Sequence, residues 1–363
     1  LLHPSYVAKS FFPTELLRDA GLVSVGSKTV RITPRKHVQK NPPAQNDTTM
    51  LFIAGERTSF ARLGSFASSL NAETRQALQF AEIESIQPMV ADDRIKIGPD
   101  AVGYYEVGLH LLSDADRRTI QDPFVAYAEH CKFEVLQTLA FQAGRMLFFP
   151  VRGNSENLHA LARFTMLRVI RPMPKLRSMP SPMRSTSVGL GFQLPGAEPF
   201  SKEPKVAILD GGLPATHPIG SYIGRYFTSD ASAQDVPSYL DHGLGVTSAF
   251  LFGSITPGQE AQRPYAYADH YRVLDAQSNA EDPLELYRTL GHVEEVLLSR
   301  QYQFVNLSLG PELPCEDSEV HVWTSVIDAL LSDGETLMTV AAGNNGERDS
   351  SLGLDRIQVP ADS

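Results

Sequence analysis

Two ionisable residues and one amide stand where a folded chain could bring them together. Asp210 ends a short apolar run and is followed by two glycines, and His242 lies between an aspartate and a glycine. Asn344 follows another apolar run, 336–340. A buried carboxylate that orients a histidine is the arrangement that activates a hydroxyl nucleophile. These residues therefore indicate nucleophilic catalysis, although no convincing serine nucleophile precedes the end of the chain at Ser363.

The second half of the chain alternates between apolar strands and amphipathic helices. Strands are predicted at 205–210, 271–274, 303–307 and 336–340, with helices opening at His242, across 284–300 and over 320–330. This alternation is typical of a parallel sheet covered on both faces. Active groups in such sheets gather at the carboxyl ends of the strands. We therefore expect Asp210, the segment 308–310 and Asn344 at one edge of the sheet.

The first half mixes predicted strands and helices in an order that is typical of a small α+β domain. Strands are predicted at 50–53, 104–112, 146–149 and 166–170. Helices are predicted at 72–87, from a capping-box-like start at Ser113 with Asp116 towards Cys131, and near 155–163. Residues 171–204 carry seven prolines and no period of 2 or 3.6, and are interpreted as an extended linker. The predicted domains are 1–170, 171–204 (linker) and 205–363.

Composition and charge exclude several classes of protein. A net charge of −10 argues against a nucleic-acid-binding protein. No apolar run approaches the roughly 18 residues that span a bilayer, and the start of the chain does not resemble a signal peptide. Cys131 and Cys315 are the only cysteines, which is typical of a reducing compartment. A cytoplasmic protein with no membrane partner is predicted.

Four segments, in this order and spacing, resemble the motifs of subtilisin-like serine proteases. They are Ile208 to Gly212 with His217-Pro218 (aspartate motif), Asp241-His242-Gly243 (histidine motif), Asn306 to Gly310 (substrate-cleft strand) and Ala341 to Asn344 (oxyanion-hole segment). Each segment alone is ordinary, since an aspartate after a strand often makes a turn and Asn-Asn-Gly is a good turn sequence. The combination is far more specific. It covers residues 205–363, and nothing upstream contributes to it.

The resemblance implies an incomplete, doubly wound subtilisin-like sheet and serine endopeptidase activity on protein or peptide substrates. His242 would be the general base, Asp210 would hold its tautomer, and Asn344 would donate its amide to the oxyanion. An extended substrate would bind as an added strand along five residues: Ser308, Leu309, Gly310, Ala342 and Gly343. The first half would act as a prodomain or as a platform for a regulatory protein partner.

Departures from the family's pattern support a second hypothesis. The histidine motif continues Gly243-Leu244-Gly245 where the family has Gly-Thr-His, and Gly211 stands where Ser or Thr is common. The Gly-Thr-Ser segment with the nucleophile would lie beyond Ser363. We therefore expect a fragment of a longer protein that is inactive alone. The alternative is a catalytically inactive subtilisin-like module that binds extended peptides or a partner protein.

Other polar clusters are assigned structural roles. The carboxylate pairs Asp92-Asp93 and Asp114-Asp116 lack the ligand spacing of a calcium loop and are interpreted as a solvated face. No metal or cofactor is predicted, and a structural calcium ion is left open. Asp269 and His270 are assigned to a polar loop before the strand at 271–274.

Overall fold

The described part of the chain forms two compact units. A computed structural model describes residues 1–7, 12–35, 46–69, 71, 73–96, 103–113, 115–177, 193–256, 258–278, 282–315, 319–344 and 356–362. The first unit comprises Leu1–Pro172 with Glu316–Val320, and the second comprises Met173–Cys315 with His321–Ser363. Among the described residues, no helix is both long enough and apolar enough to cross a membrane.

The first unit contains antiparallel sheets and mostly short helices. Its helices are α1 (Pro4–Val7), α2 (Thr14–Ala20), α3 (Arg57–Ser69), α4 (Arg75–Ala81), α5 (Ala91–Arg94), α6 (Arg117–His130) and α7 (Leu158–Leu161). Its strands are β1 (Val23–Ile32), β2 (Asn46–Ala54), β3 (Tyr104–His110), β4 (Glu134–Val135), β5 (Phe141–Ala143), β6 (Met146–Arg152) and β7 (Leu167–Pro172). Strands β1 and β2 form an antiparallel ribbon, and a second antiparallel sheet has the order β4-β6-β3-β7, with β5 beside β6.

The core of the first unit lies between this second sheet and α6. Phe124 of α6 stacks on Phe149 of β6 with ring centroids 5.7 Å apart, and both side chains are fully buried. Tyr105 and Leu109 of β3 are also fully buried. Each such side chain contributes about 1.5–3 kcal/mol by leaving water, so this cluster is the main stabilising feature of the unit.

Buried ion pairs lie in the same unit. Glu106 of β3 is 0% exposed and accepts a 2.7 Å hydrogen bond from Arg171 Nε of β7. Glu319 accepts from Arg168 Nε at 2.8 Å and from Lys28 Nζ at 2.9 Å. Burial opposes the ionisation of Glu319, but these two cations outweigh it and hold the pKa of Glu319 below its usual value. The pairs therefore tie β3 to β7, and Glu319 to Arg168 and Lys28 within the first unit.

The second unit is built on a parallel sheet. Its elements are β8 (Ser201–Asp210), β9 (Ile223–Thr228), α8 (Pro237–Phe252), β10 (Ala266–Arg272), α9 (Glu285–Leu298), β11 (Phe304–Leu307), α10 (Val322–Leu331) and β12 (Leu337–Val340). The strand order is β12-β11-β8-β10-β9, and every neighbouring pair is parallel. The prediction of a parallel sheet in an α/β arrangement is confirmed.

Several element boundaries differ from those predicted. Helix α8 begins at Pro237 rather than His242, because proline fits the first turn of a helix, where its missing N–H is not needed. Strand β9 was not predicted, since its largely exposed edge position gives no apolar run. Strand β7 extends to Pro172 and β8 begins at Ser201, so both enter the predicted linker.

Candidate functional site

Asp210 and His242 are in direct contact in the second unit. His242 Nδ1 donates to Asp210 Oδ1 over 2.8 Å, and the Asp210 side chain is 0% exposed while that of His242 is 17% exposed. Asp210 Oδ1 also accepts from the backbone N–H of Gly211 at 2.6 Å. Asp210 Oδ2 is buried and has no hydrogen-bond partner among the described residues. The carboxylate therefore fixes which imidazole nitrogen faces it, and Nε2 is the nitrogen left for proton transfer.

Glycines at two places allow this contact. Asp210 is the last residue of β8, and the turn after it runs against α8, which carries His242. A Cβ at Gly211 would lie 2.5 Å from Tyr239 Cβ, and one at Gly243 would lie 2.1 Å from the Gly212 carbonyl oxygen. Gly212 has a φ of +104°, which L side chains rarely adopt. The helix can approach the strand end this closely only because these positions lack side chains.

Adding a side chain at Gly243 is expected to destabilise the second unit. Gly243→Ala should cost about 1–3 kcal/mol or more, because the new methyl group meets backbone atoms that cannot move aside cheaply. Gly245 lies on the same helix with no atom within 4 Å of its Cβ position, so Gly245→Ala should be neutral or stabilising by up to about 1 kcal/mol. Thermal unfolding can be followed through Trp323, the single tryptophan, which is buried in this unit. Equal melting temperatures for the two variants would contradict the close approach.

The other predicted site residues lie at the ends of neighbouring strands. Leu307, the last residue of β11, is in register with Leu209 of β8 and with Val340 of β12. The segments that begin at Asp210, Ser308 and Ala341 therefore leave the sheet at the same edge.

At that edge the predicted residues differ in exposure. Leu309 and Gly310 are buried, Ser308 and Gly343 are partly buried, and Ala342 and Asn344 are exposed. Ser308 Oγ accepts from the Asn306 side-chain amide at 2.9 Å. Gly343 has a φ of +110°, and a Cβ there would lie 3.0 Å from the side chain of Gln358, whose own amide is buried without a partner among the described residues. Asn344 is the exposed last residue of this described segment, and residues 345–355 lie outside the described part.

The assignment of Asp269 and His270 to a polar loop is wrong. Both residues lie within β10, where His270 is 0% exposed. A hydrogen bond of 2.9 Å joins His270 Nδ1 to Thr247 Oγ1 of α8, and burial lowers the pKa of His270 to about 3. Asp269 accepts from Arg225 Nε and from the Tyr302 hydroxyl. The adjacent polar residues Asp269 and His270 break any apolar or alternating pattern along β10, so the sequence conceals a strand whose polar side chains pair with their neighbours.

The carboxylate pairs of the first half serve local structure. Asp93 Oδ2 accepts from the Val90 N–H at the start of α5, and Asp116 Oδ2 accepts from Ser113 Oγ before α6. Asp114 lies outside the described residues. Among the residues that are described, no three histidines, cysteines or carboxylates form a cluster that could hold a metal ion.

The predicted linker supplies a residue that the sequence did not single out. Arg177 is 8% exposed, and its backbone N–H donates to the Gly310 carbonyl at 2.8 Å. A lone arginine among prolines carries no periodic signal, so only the folded chain identifies it.

Comparisons with known proteins do not assign the chain to a family. No protein-family model matches the chain, and no curated protein matches it. The resemblance to subtilisin-like proteases therefore rests on the residues and on their arrangement.

Proposed function

We propose that the second unit is part of a serine endopeptidase of the subtilisin-like class, with β8 to β12 as an incomplete doubly wound sheet. The observation that carries the proposal is the 2.8 Å contact between His242 Nδ1 and the buried Asp210 carboxylate at the end of a central strand. Burying a carboxylate is costly unless it is paired. A buried carboxylate whose partner is a partly exposed imidazole fits an orienting group better than a turn residue.

In the proposed reaction, each residue has one task. Asp210 keeps the Nδ1 proton of His242 in place and stabilises the imidazolium that forms when Nε2 takes a proton. The proton would come from a serine hydroxyl outside residues 1–363, and that serine would attack the carbonyl carbon of a peptide. Asn344 would donate its side-chain amide to the oxyanion. The same Nε2 then returns the proton to the leaving amine, so no metal or cofactor is needed.

The segment 308–310 would bind the substrate backbone. Its place beside the ends of β8 and β12 supports that role, because the segments that carry Asp210 and Asn344 leave the sheet at the same edge. The first unit would serve as a prodomain or as a site for a regulatory protein partner.

A serine-reactive fluorophosphonate probe tests the proposal on the full-length gene product. We expect covalent labelling of one serine, and we expect His242→Ala to abolish it because the nucleophile then lacks its general base. His130→Ala is the matched control, since His130 is an exposed histidine at the end of α6. It should leave labelling unchanged.

The same experiment distinguishes the peptidase from the alternative function, an inactive module that binds peptides. A full-length product that contains a Gly-Thr-Ser segment but takes up no label would favour the catalytically inactive module that binds extended peptides. The observation that favours this alternative is that an extended segment of the chain itself, 175–177, already pairs with Gly310 to Glu312 through an isolated bridge.

A further inference from the structure

A short segment of the chain, 175–177, pairs with residues 310–312, which continue directly from the proposed substrate-binding segment 308–310 in the second unit. Leu176 forms an antiparallel bridge with Pro311. The Arg177 N–H donates to the Gly310 carbonyl at 2.8 Å, and the Glu312 N–H donates to the Lys175 carbonyl at 2.9 Å. Paired backbone hydrogen bonds on either side of a bridge are how an extended peptide adds to a strand. The segment 175–177 therefore shows how a peptide backbone can be held here.

The side chain of Arg177 enters a pocket made of backbone. Its Nη2 donates to the Val359 carbonyl at 3.0 Å, and its Nη1 donates to the Ala341 carbonyl at 3.4 Å. A Cβ at Gly310 would lie 3.1 Å from Arg177 Nη2 and 2.7 Å from the Val359 oxygen. Gly310 thus leaves room for the guanidinium, and Ala341 connects this pocket to the segment that ends at Asn344.

The pocket also suits the charge of arginine. Burial lowers the pKa of the Arg177 guanidinium, and the Glu312 carboxylate acts in the opposite direction. A buried cation is costly without acceptors and a counter-charge; here the Ala341 and Val359 carbonyls accept from the guanidinium, and the Glu312 carboxylate contributes a favourable charge. Arg177 Nε is buried and has no hydrogen-bond partner among the described residues. A planar cation with several N–H donors matches this set better than a compact ammonium group.

We propose that this site recognises peptides that contain arginine, with the arginine side chain in the pocket formed by Gly310, Ala341 and Val359. The segment 175–177 occupies that place in cis and must leave before a substrate binds. The proposal names the substrate class of the peptidase site and in that sense rests on the proposed function. It also predicts that the same pocket would select arginine if the protein only binds peptides.

Binding of a labelled peptide tests this proposal. The probe is fluorescein-labelled Met-Pro-Lys-Leu-Arg, the sequence of residues 173–177, and binding to the full-length product is measured by fluorescence anisotropy. Arg177→Ala should bind the probe at least tenfold more tightly than the unsubstituted protein, because the pocket is vacated. Lys175→Ala is the matched control, since Lys175 is exposed in the same segment; it should bind like the unsubstituted protein.

Two altered probes separate shape from charge. Replacement of the probe's arginine by alanine should weaken binding to Arg177→Ala at least tenfold, and replacement by citrulline, which is neutral, should weaken it as well. Glu312→Gln in the same background should reduce the preference for arginine over citrulline. Equal binding of the three probes would overturn the proposal. The absence of any binding would also overturn it if unchanged Trp323 fluorescence shows that the variant is folded.

A measurement without substitution covers the case in which Arg177→Ala does not fold. Excess arginine probe should speed hydrogen exchange of the Arg177 amide in the unsubstituted protein, because displacement frees the N–H from Gly310, while the alanine probe should not. Identical exchange with both probes would count against displacement of segment 175–177.

Peptide binding does not require a nucleophile, so the two proposals can fail separately. If fluorophosphonate labelling fails but arginine probes bind, the peptidase activity is rejected and the recognition of arginine stands. If labelling succeeds but arginine probes do not bind, only the recognition of arginine is rejected.

Discussion

Replacement of Asp210 by asparagine is expected to lower peptide hydrolysis by the full-length product about 10⁴-fold, the scale of this loss in serine proteases with the same arrangement. The carboxylate accepts the Nδ1 proton of His242 at 2.8 Å. An asparagine amide can present its N–H₂ group there instead, which favours the imidazole tautomer with the proton on Nε2. That tautomer cannot act as a general base at Nε2.

Asp241→Asn is the matched control for this prediction. It makes the same chemical change next to His242, but Asp241 is exposed, so hydrolysis should stay within about twofold of that of the unsubstituted protein, since an exposed charge is screened by solvent. Nitrogen-15 NMR of the His242 ring provides a readout that does not depend on turnover. A ring that keeps its proton on Nδ1 in Asp210→Asn would contradict the orienting role, whatever the activity.

Glu106→Gln is expected to destabilise the first unit by about 3–5 kcal/mol, because it leaves the buried Arg171 guanidinium without its counter-charge. Arg171 Nη2 and Nε lie 2.6 and 2.7 Å from Glu106 Oε1, and the glutamate is 0% exposed. An amide of the same size can accept one hydrogen bond but carries no charge. The loss should therefore exceed that of an ordinary hydrogen bond, about 1 kcal/mol.

An exposed pair in the same sheet provides the control. Glu134 of β4 pairs with Arg152 of β6, and both side chains are about half exposed. Glu134→Gln should cost at most about 1 kcal/mol, because solvent screens such pairs. Urea unfolding followed by circular dichroism measures both variants, while Trp323 fluorescence reports the second unit separately. Stabilities within about 1 kcal/mol of each other would contradict the importance of burial for Glu106.

Much of the second unit could be predicted from local pattern. Runs rich in apolar residues predicted β8, β11 and β12. Only the end of β8, from Val206 to Asp210, is buried throughout, as expected for a central strand of a parallel sheet. The same reasoning failed for β9 and for the start of β10, because β9 has no apolar run and polar residues such as Asp269 interrupt β10.

The sequence alone determined the residue types of Asp210, His242 and Asn344, and the places of Asp210 and Asn344 after apolar runs. Only the tertiary structure decided that β8 lies between β11 and β10, that Gly243 packs on Gly212, and that His242 Nδ1 then reaches Asp210. It also placed Arg177 against Gly310. The physical reason is that periodicity reports which side of an element is buried, whereas contacts between distant residues depend on strand order and close packing.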